Sequence, residues 1–556
     1  MKKSSTSFTK ISFFIFGILL FCSSTFAQSV PEAVLKLTDQ IDTNRIKNHV
    51  AYLASDALLG RKPGKPGYQK AVDYVIEEYK KLGIKPSGEN GGFTQKVILR
   101  NSKLIKEKSN LTFLMADGTK KTLIYAEEYS LLPNPEHTKM EFNAPLVFVG
   151  AGVDAPEIGF KDYEGMDVKG KICVVLQKTP TNVPANVRLH LRYPATFQEY
   201  ALKHGAIGVL LCNYENNAAR FKIGANLSLQ SGTTVSVKPD GKITPSASLQ
   251  GGKIQVAGNI TVDVLKDIMN ANNLNLEEIW KKLEAGQNVS QNLNMRALGN
   301  YESINSDIIS YNVIGKIEGS DKKLKKEFVI HSAHLDHLGV GKAINGDSIY
   351  NGAHDNASGV ASALEIARMY SLLKIKPKRS ILFLMVTAEE MGLLGSAYFA
   401  NNPTVPKKSI VVDVNTDMPT FLANLESIAP LGAEHSSLMK IVETAAQTLG
   451  LSVEPDPEPT EGRFVRSDQY SFVKAGIPAL HVKFGHKNSN PNLAEEVKKW
   501  REANYHKPSD EITNGFFWTA GKKYAQVNFL ISYMVSEDQK RVTWNEGDFF
   551  KLRLKN

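Results

Sequence analysis

The chain has 556 residues, a formal net charge of +10 at pH 7 and a hydrophobic fraction of 42%. This length is enough for about two to four domains, and the composition is that of an ordinary globular protein. The positive charge is spread thinly, as in residues 322–326 and 374–379, and the sequence has no stripe of Arg and Lys with interleaved aromatic residues. We therefore expect no nucleic-acid partner.

The first 27 residues have the pattern of a secretory signal peptide. Lys2 and Lys3 form the charged start, an apolar stretch covers residues 11–21, and Ala27 ends a plausible cleavage site. That stretch is too short for a comfortable membrane span, and no later segment reaches roughly 18 uninterrupted apolar residues. We therefore expect an exported, periplasmic or secreted chain with no stable membrane insertion once mature.

The three cysteines leave two questions open. Cys22 suggests a lipoprotein anchor, but bulky Phe21 precedes it where such signals need a small residue, so anchoring is not expected. Cys173 and Cys212 lie in apolar, strand-like stretches. Export would permit a disulfide between them, and two small buried hydrophobic residues are an equally good interpretation.

Residues 28–141 are predicted to form the N-terminal part of the main domain. Apolar positions at helical spacing predict helices over 46–53 and 71–82, and we expect helix to dominate up to about residue 100. A loop rich in Gly and Pro, LLGRKPGKPG at residues 58–67, separates the two helices. Residues 101–140 alternate as short strands do.

The pattern changes near Ala144, where residues 145–150 read as a buried strand. The stretches DYEGMDVKGKI (162–172) and YALKHGAIGVL (200–210) follow, and the second predicts a helix that turns into a buried strand. Together they resemble the protease-associated domain, a small β-rich module inserted in several exported peptidases. The resemblance implies an insert covering residues 142–272.

Residues 273–556 are predicted to form the catalytic domain. Apolar runs predict buried strands over 328–332, 381–386 and 410–414, and a helical apolar period begins just after Asn356. Alternating strands and helices imply an α/β fold with a mostly parallel or mixed sheet and helices on both faces.

Side chains that bind metals or move protons follow each of these predicted strands. The stretches are HSAHLDH (331–337), NGAHDNASG (351–359), EE (389–390), NTD (415–417) and, much later, YHKPSDE (505–511). Burying an unpaired carboxylate costs several kcal/mol, so the pair Glu389-Glu390 after a buried strand needs a reason. Carboxyl ends of parallel strands meet at one crevice, which favours a single site with one glutamate on a metal and the other moving a proton.

In this order, HLDH, HDNASG, AEEMGLLGS, NTD and YHKPSDE resemble the di-zinc aminopeptidase family, which includes bacterial leucyl aminopeptidases, aminopeptidase Y, glutamate carboxypeptidase, glutaminyl cyclase and the transferrin receptor. The match covers residues 300–515 and, more loosely, 40–100. It implies two Zn²⁺ per chain. The implied ligands are His334 and Asp417 for one ion, Glu390 and His506 for the other, and Asp355 as the bridge.

The charges agree with that assignment, because three carboxylates and a bridging hydroxide balance two Zn²⁺. The resemblance assigns the general base to Glu389, and gives Tyr505 the task of holding the oxyanion. Asp336, two residues after His334, would share its face of the strand and accept its other ring N–H. A cis bond between Asp355 and Asn356 is also implied.

The remaining histidines and the specificity residues are less clear in the sequence. His331 and His337 are expected at the surface or behind the ligands, and some relatives have Asp in place of His354. In GRFVRSDQY (462–470), the resemblance implies three pocket residues. They are Arg466, Ser467 and Asp468. Alternatively, Arg463 and Arg466 pair with Glu461 and Asp468.

The resemblance implies an exported aminopeptidase that acts on peptides with a free N-terminus and attacks the first carbonyl with a bridging hydroxide. A metallocarboxypeptidase would instead use the arginines Arg463 and Arg466 to grip a carboxylate. A glutaminyl cyclase-like enzyme would need only one zinc, which the complete ligand set disfavours. A non-catalytic receptor or binding module remains the alternative of a different class.

Overall fold

The computed structural model describes residues 30–178, 183–213, 232–419 and 422–553. The predicted signal peptide, residues 1–27, lies outside the described residues. No helix within these ranges is both long and apolar enough to cross a membrane. The α-helices of the described ranges are α1 (Glu32–Thr38), α2 (Thr43–Leu53), α3 (Pro66–Lys81), α4 (Ala185–His190), α5 (Pro194–Lys203), α6 (Val262–Ala271), α7 (Leu276–Glu284), α8 (Ser358–Leu372), α9 (Leu394–Asn401), α10 (Leu438–Thr448), α11 (Gln469–Lys474), α12 (Leu493–Asn504), α13 (Trp518–Glu537) and α14 (Phe549–Arg553).

The strands range from two-residue edges to two very long elements. They are β1 (Lys85–Pro86), β2 (Thr94–Met115), β3 (Lys120–Thr122), β4 (Tyr129–Leu131), β5 (Lys139–Phe148), β6 (Asp154–Ala155), β7 (Phe160–Lys161), β8 (Ile172–Leu176), β9 (Gly208–Cys212), β10 (Gly232–Val237), β11 (Val256–Ile260), β12 (Gln291–Ile317), β13 (Phe328–His334), β14 (Gly339–Ile344), β15 (Asp347–Tyr350), β16 (Ser380–Val386), β17 (Ile410–Asn415), β18 (Ser427–Leu431), β19 (Ser452–Val453) and β20 (Ala479–Phe484).

One mixed sheet contains sixteen of these strands within the described ranges. From one edge its order is β19-β18-β20-β17-β13-β16-β12, and it continues as β5-β8-β9-β11-β4. β13 lies parallel to β16 and β17, and β17 lies parallel to β20. β12 runs antiparallel to β16. The predicted mixed α/β fold is confirmed.

The half of the sheet that contains β13, β16, β17 and β20 lies in the predicted catalytic domain, and we call it the catalytic half. Both of its faces are buried. In β16, Ile381 and Phe383 belong to one apolar cluster, while their neighbours Leu382 and Leu384 belong to another. Successive side chains of a strand point to opposite faces, so each face has its own core. This explains why β16 reads as a continuous apolar run instead of an alternating one.

The N-terminal region is helical over a shorter stretch than expected. Helices α2 and α3 match the two predicted helices, and Asp42 caps α2 by accepting the N–H of Asn44 over 2.8 Å. The expectation of helix up to about residue 100, with short strands from 101, is wrong. Residues 94–115 form the single strand β2, which pairs with β12 over most of its length. That non-local partner outweighs the local pattern.

The long strand β12 joins the catalytic half of the sheet to the region predicted as an insert. Its last residues pair with β16, and its first residues pair with β5. Strands β5, β8, β9 and β11 lie parallel in that order. The predicted boundary at 142 falls inside β5 and that at 272 just after α6, and the identity of the insert stays a prediction. Cys173 and Cys212, on β8 and β9, are buried and free, so they act as small hydrophobic residues.

Candidate metal and catalytic site

Several predicted site residues lie at the carboxyl ends of neighbouring parallel strands. His334 is the last residue of β13, the pair Glu389-Glu390 follows β16, and Asp417 follows β17. Because these three strands are adjacent and parallel, their carboxyl ends open onto the same crevice.

The carboxylate of Asp355 lies at the centre of the crevice. Its Oδ1 is 3.2 Å from Nε2 of His334, and its Oδ2 is 3.2 Å from Nε2 of His506. Nε2 of His334 is also 3.6 Å from Oδ1 of Asp417. Nε2 of His506 is 3.1 Å from Oε2 of Glu390. The five predicted ligands therefore form two groups that share Asp355.

The donor set fits zinc. Candidate ligand atoms of His334, Asp355 and Asp417 lie within 4.8 Å of one another. These are imidazole nitrogens and carboxylate oxygens, which suit a hydrolytic Zn²⁺ site. Oδ1 of Asp417 is buried and makes no hydrogen bond to any described residue. A buried carboxylate oxygen without a donor is costly, and a cation at this position would satisfy it.

His337 lies beside the second group, which is the second of its two predicted positions. It is buried, not at the surface, and its Nδ1 is 2.7 Å from Oε1 of Glu390. Candidate ligand atoms of His337, Asp355 and Glu390 also lie within 4.8 Å of one another. The sequence signal was its place three residues after His334. It is therefore a neighbour of the second metal position beside His506.

His331 and His354 lie near the ligands in the sequence, but each packs against residues outside the ligand groups. His331 is buried in β13, where its Nε2 is 2.8 Å from Oγ of Ser532, so the surface alternative of its prediction does not hold. The ring of His354 packs 4.7 Å from that of Trp500. Burial lowers the pKa of His354 to about 3. The imidazole of His354 is therefore held neutral beside the ring of Trp500.

Asp510 and Asn356 hold the central loop, and the sequence assigned neither of them a role in the site. Asp510 accepts the backbone N–H of His354 over 2.9 Å and that of Asp355 over 3.0 Å. The Asp355-Asn356 bond is cis, as the resemblance implied. Oδ1 of Asn356 accepts the N–H of Gly359 at the start of α8 and that of Met418. The loop is therefore tied to both α8 and the segment that carries Asp417.

Asp336 contacts His334 in a different way from the prediction. Nδ1 of His334 lies 3.2 Å from the backbone carbonyl of Asp336, so the predicted hydrogen bond to the carboxylate is wrong. The carboxylate instead accepts the backbone N–H of Glu389 over 3.0 Å and that of Glu390 over 3.3 Å. The reason is the turn after β16, which aims both N–H groups at the neighbouring strand end.

Glu389 is half-buried beside the ligands. Burial raises its pKa well above the usual range; His334 opposes this shift, and the negative charges of Glu390 and Asp468 add to it. Ala388, just before it, has a φ of 54°, in the left-handed region. This turn lets the two adjacent glutamates leave the strand in different directions.

A buried arginine from the N-terminal loop, Arg61, donates hydrogen bonds to backbone segments next to the site. Nη1 of Arg61 donates to the carbonyl of Asn351 over 2.6 Å, and Nη2 donates to that of Gly352 over 3.0 Å. Nε donates to the carbonyl of Leu335 over 3.0 Å. Arg61 is 1% exposed. It therefore links the segments that lead to Asp336 and Asp355, and nothing in its loop pattern predicted this.

A cavity of about 80 Å³ opens beside Asp417. Its lining is Asp417, Met418, Glu461, Arg463, Arg466, Ser467, His481, Lys483, Arg501 and Tyr505. The ring of Tyr505 stacks on that of His506 with centroids 3.8 Å apart. The cavity therefore adjoins Asp417 of the first group and, through Tyr505, the ring of His506 in the second.

Two of the three predicted specificity residues line this cavity, and the third does not. Arg466 is exposed on the lining, and its guanidinium donates to the carbonyl of Glu461. Ser467 is buried and accepts Nδ2–H of Asn415 over 2.7 Å. Asp468 is fully buried and does not line this cavity; burial raises its pKa to about 7. The predicted pairing with Glu461 and Asp468 is not observed.

Arg463 forms ion pairs with acidic residues other than the predicted Glu461 and Asp468. It forms ion pairs with Asp456 and, over 2.9 Å, with Glu458. Arg466 makes no ion pair with any residue in the described ranges. Of the two arginines, Arg466 is therefore the one that remains open to a ligand.

Part of this chain, including the site, is similar to known proteins. Residues 312–531 match the family model described as Peptidase family M28. Leupeptin-inactivating enzyme 1 of Streptomyces exfoliatus is 31% identical over 218 residues, or 38% of this chain and 45% of the relative. Carboxypeptidase Q of Rattus norvegicus is 29% identical over 181 residues (32% and 34%). Aminopeptidase YwaD of Bacillus subtilis strain 168 is 29% identical over 194 residues (34% and 38%).

The chain spans less than half the length of these curated relatives. The matched residues include β13, β16 and β17 and all five converging side chains. The likeness to peptidase family M28 therefore rests on residues 312–531, which carry these strands and side chains.

Proposed function

We propose that the chain is an exported di-zinc aminopeptidase that removes the first residue of peptides with a free N-terminus. The carboxylate of Asp355 carries the proposal, because each of its oxygens lies 3.2 Å from a different histidine. This is the arrangement that a bridging ligand needs. The signal pattern of residues 1–27 supports export, and the name of the Bacillus subtilis relative supports aminopeptidase activity.

The residues that would hold the metal follow from the two groups. His334, Asp417 and Asp355 would hold one Zn²⁺, and Glu390, His506 and Asp355 would hold the other. Zinc bound there supplies Lewis acidity and a water of lowered pKa.

Glu389 is suited to move the proton in this reaction. It would take a proton from the attacking water and deliver it to the leaving amine. Asp336 would keep it in place, since its carboxylate holds the backbone N–H of Glu389. Tyr505 would donate a hydrogen bond to the substrate carbonyl oxygen as negative charge develops there. Its ring is positioned by stacking on His506.

The first side chain of the peptide would enter the cavity beside Asp417, against Arg466 and Ser467. Asp468 is proposed to act behind this lining, near Glu389, because its charge acts on that carboxyl group.

A carboxypeptidase is the second candidate, and the open guanidinium of Arg466 favours it. A substrate carboxylate could bind there, because Arg466 has no acidic side chain as partner among the described residues. Dipeptides blocked at one end decide between the two activities. An aminopeptidase cleaves a dipeptide amide with a free N-terminus, and a carboxypeptidase cleaves an N-acetyl dipeptide with a free carboxylate.

The main test is hydrolysis of aminoacyl-anilides by the full chain, with and without a metal chelator. We expect release of the anilide that the chelator abolishes and added Zn²⁺ restores. Cyclisation of a Gln-peptide without hydrolysis would instead indicate a glutaminyl cyclase. A zinc-loaded protein that is inactive on every peptide would indicate a binding module.

A further inference from the structure

A short segment of the predicted insert, Pro184–Lys203, packs directly on the loop that carries the candidate specificity residues. The hydroxyl of Tyr193 donates to the backbone carbonyl of Val465 over 2.8 Å. Nδ1 of His190 lies 2.6 Å from the hydroxyl of Tyr470. These contacts join residues about 270 to 280 positions apart in the chain.

The rings in this contact are also closely packed. The rings of Tyr193 and Tyr470 stack with centroids 5.6 Å apart and an interplanar angle of 26°. Leu189 lies over Gly462, where the loop begins. Val465 and Tyr470 are 3% and 1% exposed, so the loop side of this contact is buried.

The opposite side of the loop is held by the catalytic sheet. Asn415, the last residue of β17, donates through Nδ2 to Oγ of Ser467 and to Oε1 of Gln469. The loop between Val465 and Tyr470 is therefore clamped. The strand that leads to Asp417 holds it from one side, and the insert holds it from the other.

A second contact fixes the insert segment in this position. Asn186 donates to Oε1 of Glu434 over 3.0 Å, and its Nδ2 also contacts Nε2 of His435. The ring of His190 packs 5.5 Å from that of Phe550 in α14. The segment therefore packs on the catalytic domain and on the C-terminal helix α14.

Tyr193 also lies within the electrostatic range of the reaction site. Burial raises its pKa to about 12; the charge of Arg466 opposes this shift, and that of Glu389 adds to it. Both charges therefore act on its hydroxyl group. Its ring is half-buried.

We infer that Tyr193, with His190 behind it, is a positioning residue of the insert that sets the place of Arg466 and Ser467 and thereby the choice of the substrate's first side chain. The substrate part of this inference rests on the proposed peptidase function. The positioning part rests only on the contacts between the two segments.

The test compares Tyr193→Phe with Tyr163→Phe in the full chain. Each variant loses one phenolic hydroxyl of the insert, and Tyr163 stacks on His204 within the insert, away from the loop. Anilides of Leu, Phe, Lys and Glu serve as substrates. We expect Tyr193→Phe to change the ratios of kcat/KM among them by about five-fold, mainly through KM, since one buried hydrogen bond is lost. Tyr163→Phe should leave the ratios unchanged.

A second readout does not depend on activity. Hydrogen–deuterium exchange of residues 463–470 should become faster in Tyr193→Phe, while that of β13 stays the same. If the wild type hydrolyses no anilide, the proposed function fails and the exchange result alone decides the positioning. Unchanged exchange in the loop overturns the inference. So does a uniform fall in kcat with constant KM and constant ratios, because that indicates only a smaller folded fraction.

Discussion

The carboxylate of Asp336 holds the backbone of Glu389, with Oδ1 accepting that residue's N–H over 3.0 Å. Asp336 follows β13 and Glu389 follows β16, and these strands are parallel neighbours. One strand end therefore fixes the turn that carries the proposed base on the next. Proton transfer needs that base to be placed to within a few tenths of an ångström, so this contact has a direct consequence for activity.

Replacing Asp336 should disturb the turn without removing a proposed ligand. In the wild type, each carboxylate oxygen of Asp336 accepts one backbone N–H. In Asp336→Asn, one of these oxygens becomes an NH₂ group, so one backbone N–H loses its acceptor. We expect kcat/KM to fall by about 10- to 100-fold. Asp347→Asn is the matched control, because Asp347 also accepts a backbone N–H, that of Ile349, at a distance from the site. Equal activity of the two variants would contradict the assignment.

Glu389→Gln should separate catalysis from metal binding. The amide cannot take a proton, so anilide hydrolysis should fall by about 100-fold or more, while the zinc content stays at the wild-type value. Elemental analysis and steady-state kinetics measure the two quantities. Glu107→Gln, at an exposed position, is the control. Near-normal turnover in Glu389→Gln would refute the base assignment.

His506 and His337 compete for the second metal position, and a pair of variants distinguishes them. His506 lies within 3.2 Å of both Asp355 and Glu390, whereas the ion pair of His337 is with Glu390. We therefore expect His506→Ala to lower the zinc content from two ions to one, and His337→Ala to retain two. A loss of zinc in His337→Ala alone would reverse the two roles.

Arg61 should matter for stability more than its loop position suggests. Arg61→Ala leaves several buried carbonyls without a donor, among them those of Leu335 and Gly352. We expect a loss of at least about 3 kcal/mol in the free energy of unfolding, measured by urea denaturation. Lys106→Ala, at an exposed position, should change it by less than about 0.5 kcal/mol. A similar small change in Arg61→Ala would show that water replaces its contacts.

Asp162 should make stability depend on pH. Burial raises its pKa from 3.8 to about 7, although its carboxylate accepts the N–H of Val153 over 2.9 Å. The folded state therefore binds this proton more tightly than the unfolded state. Its contribution is complete below about pH 4 and is lost as the pH rises through about 7. Asp162→Asn should reduce the fall in unfolding free energy between pH 5 and pH 8, and an unchanged fall would exclude Asp162 as its source.

The strands of the catalytic half and the motifs after them could be predicted from the residues alone. The runs that became β13, β16 and β17 are continuous and apolar because both faces of the sheet are covered. A buried strand followed by histidine or paired carboxylates is unusual, since such groups are costly to bury without a partner. The candidate ligands that follow these strands could therefore be recognised from short stretches of the sequence.

Contacts between distant segments could not be predicted in the same way. The long strand β2 takes its form from β12, about 200 residues later, and its own alternation suggested only short strands. Asp336 was expected to face His334 by strand periodicity, but the backbone of Glu389 lies closer to its carboxylate. Arg61 and Tyr193 act through backbone carbonyls, which have no sequence signature.

The residue types and spacing after three apolar strands were enough to indicate a metal site of carboxylates and imidazoles. The sequence itself determines which side chains follow each strand, and alternating strands and helices indicate that the strands are parallel. Which oxygen of Asp355 faces which histidine, how close His337 comes to Glu390, and how the insert packs on the loop of Arg466 were decided only by the tertiary structure. These depend on the packing of segments far apart in the sequence, whose relative positions no local pattern determines.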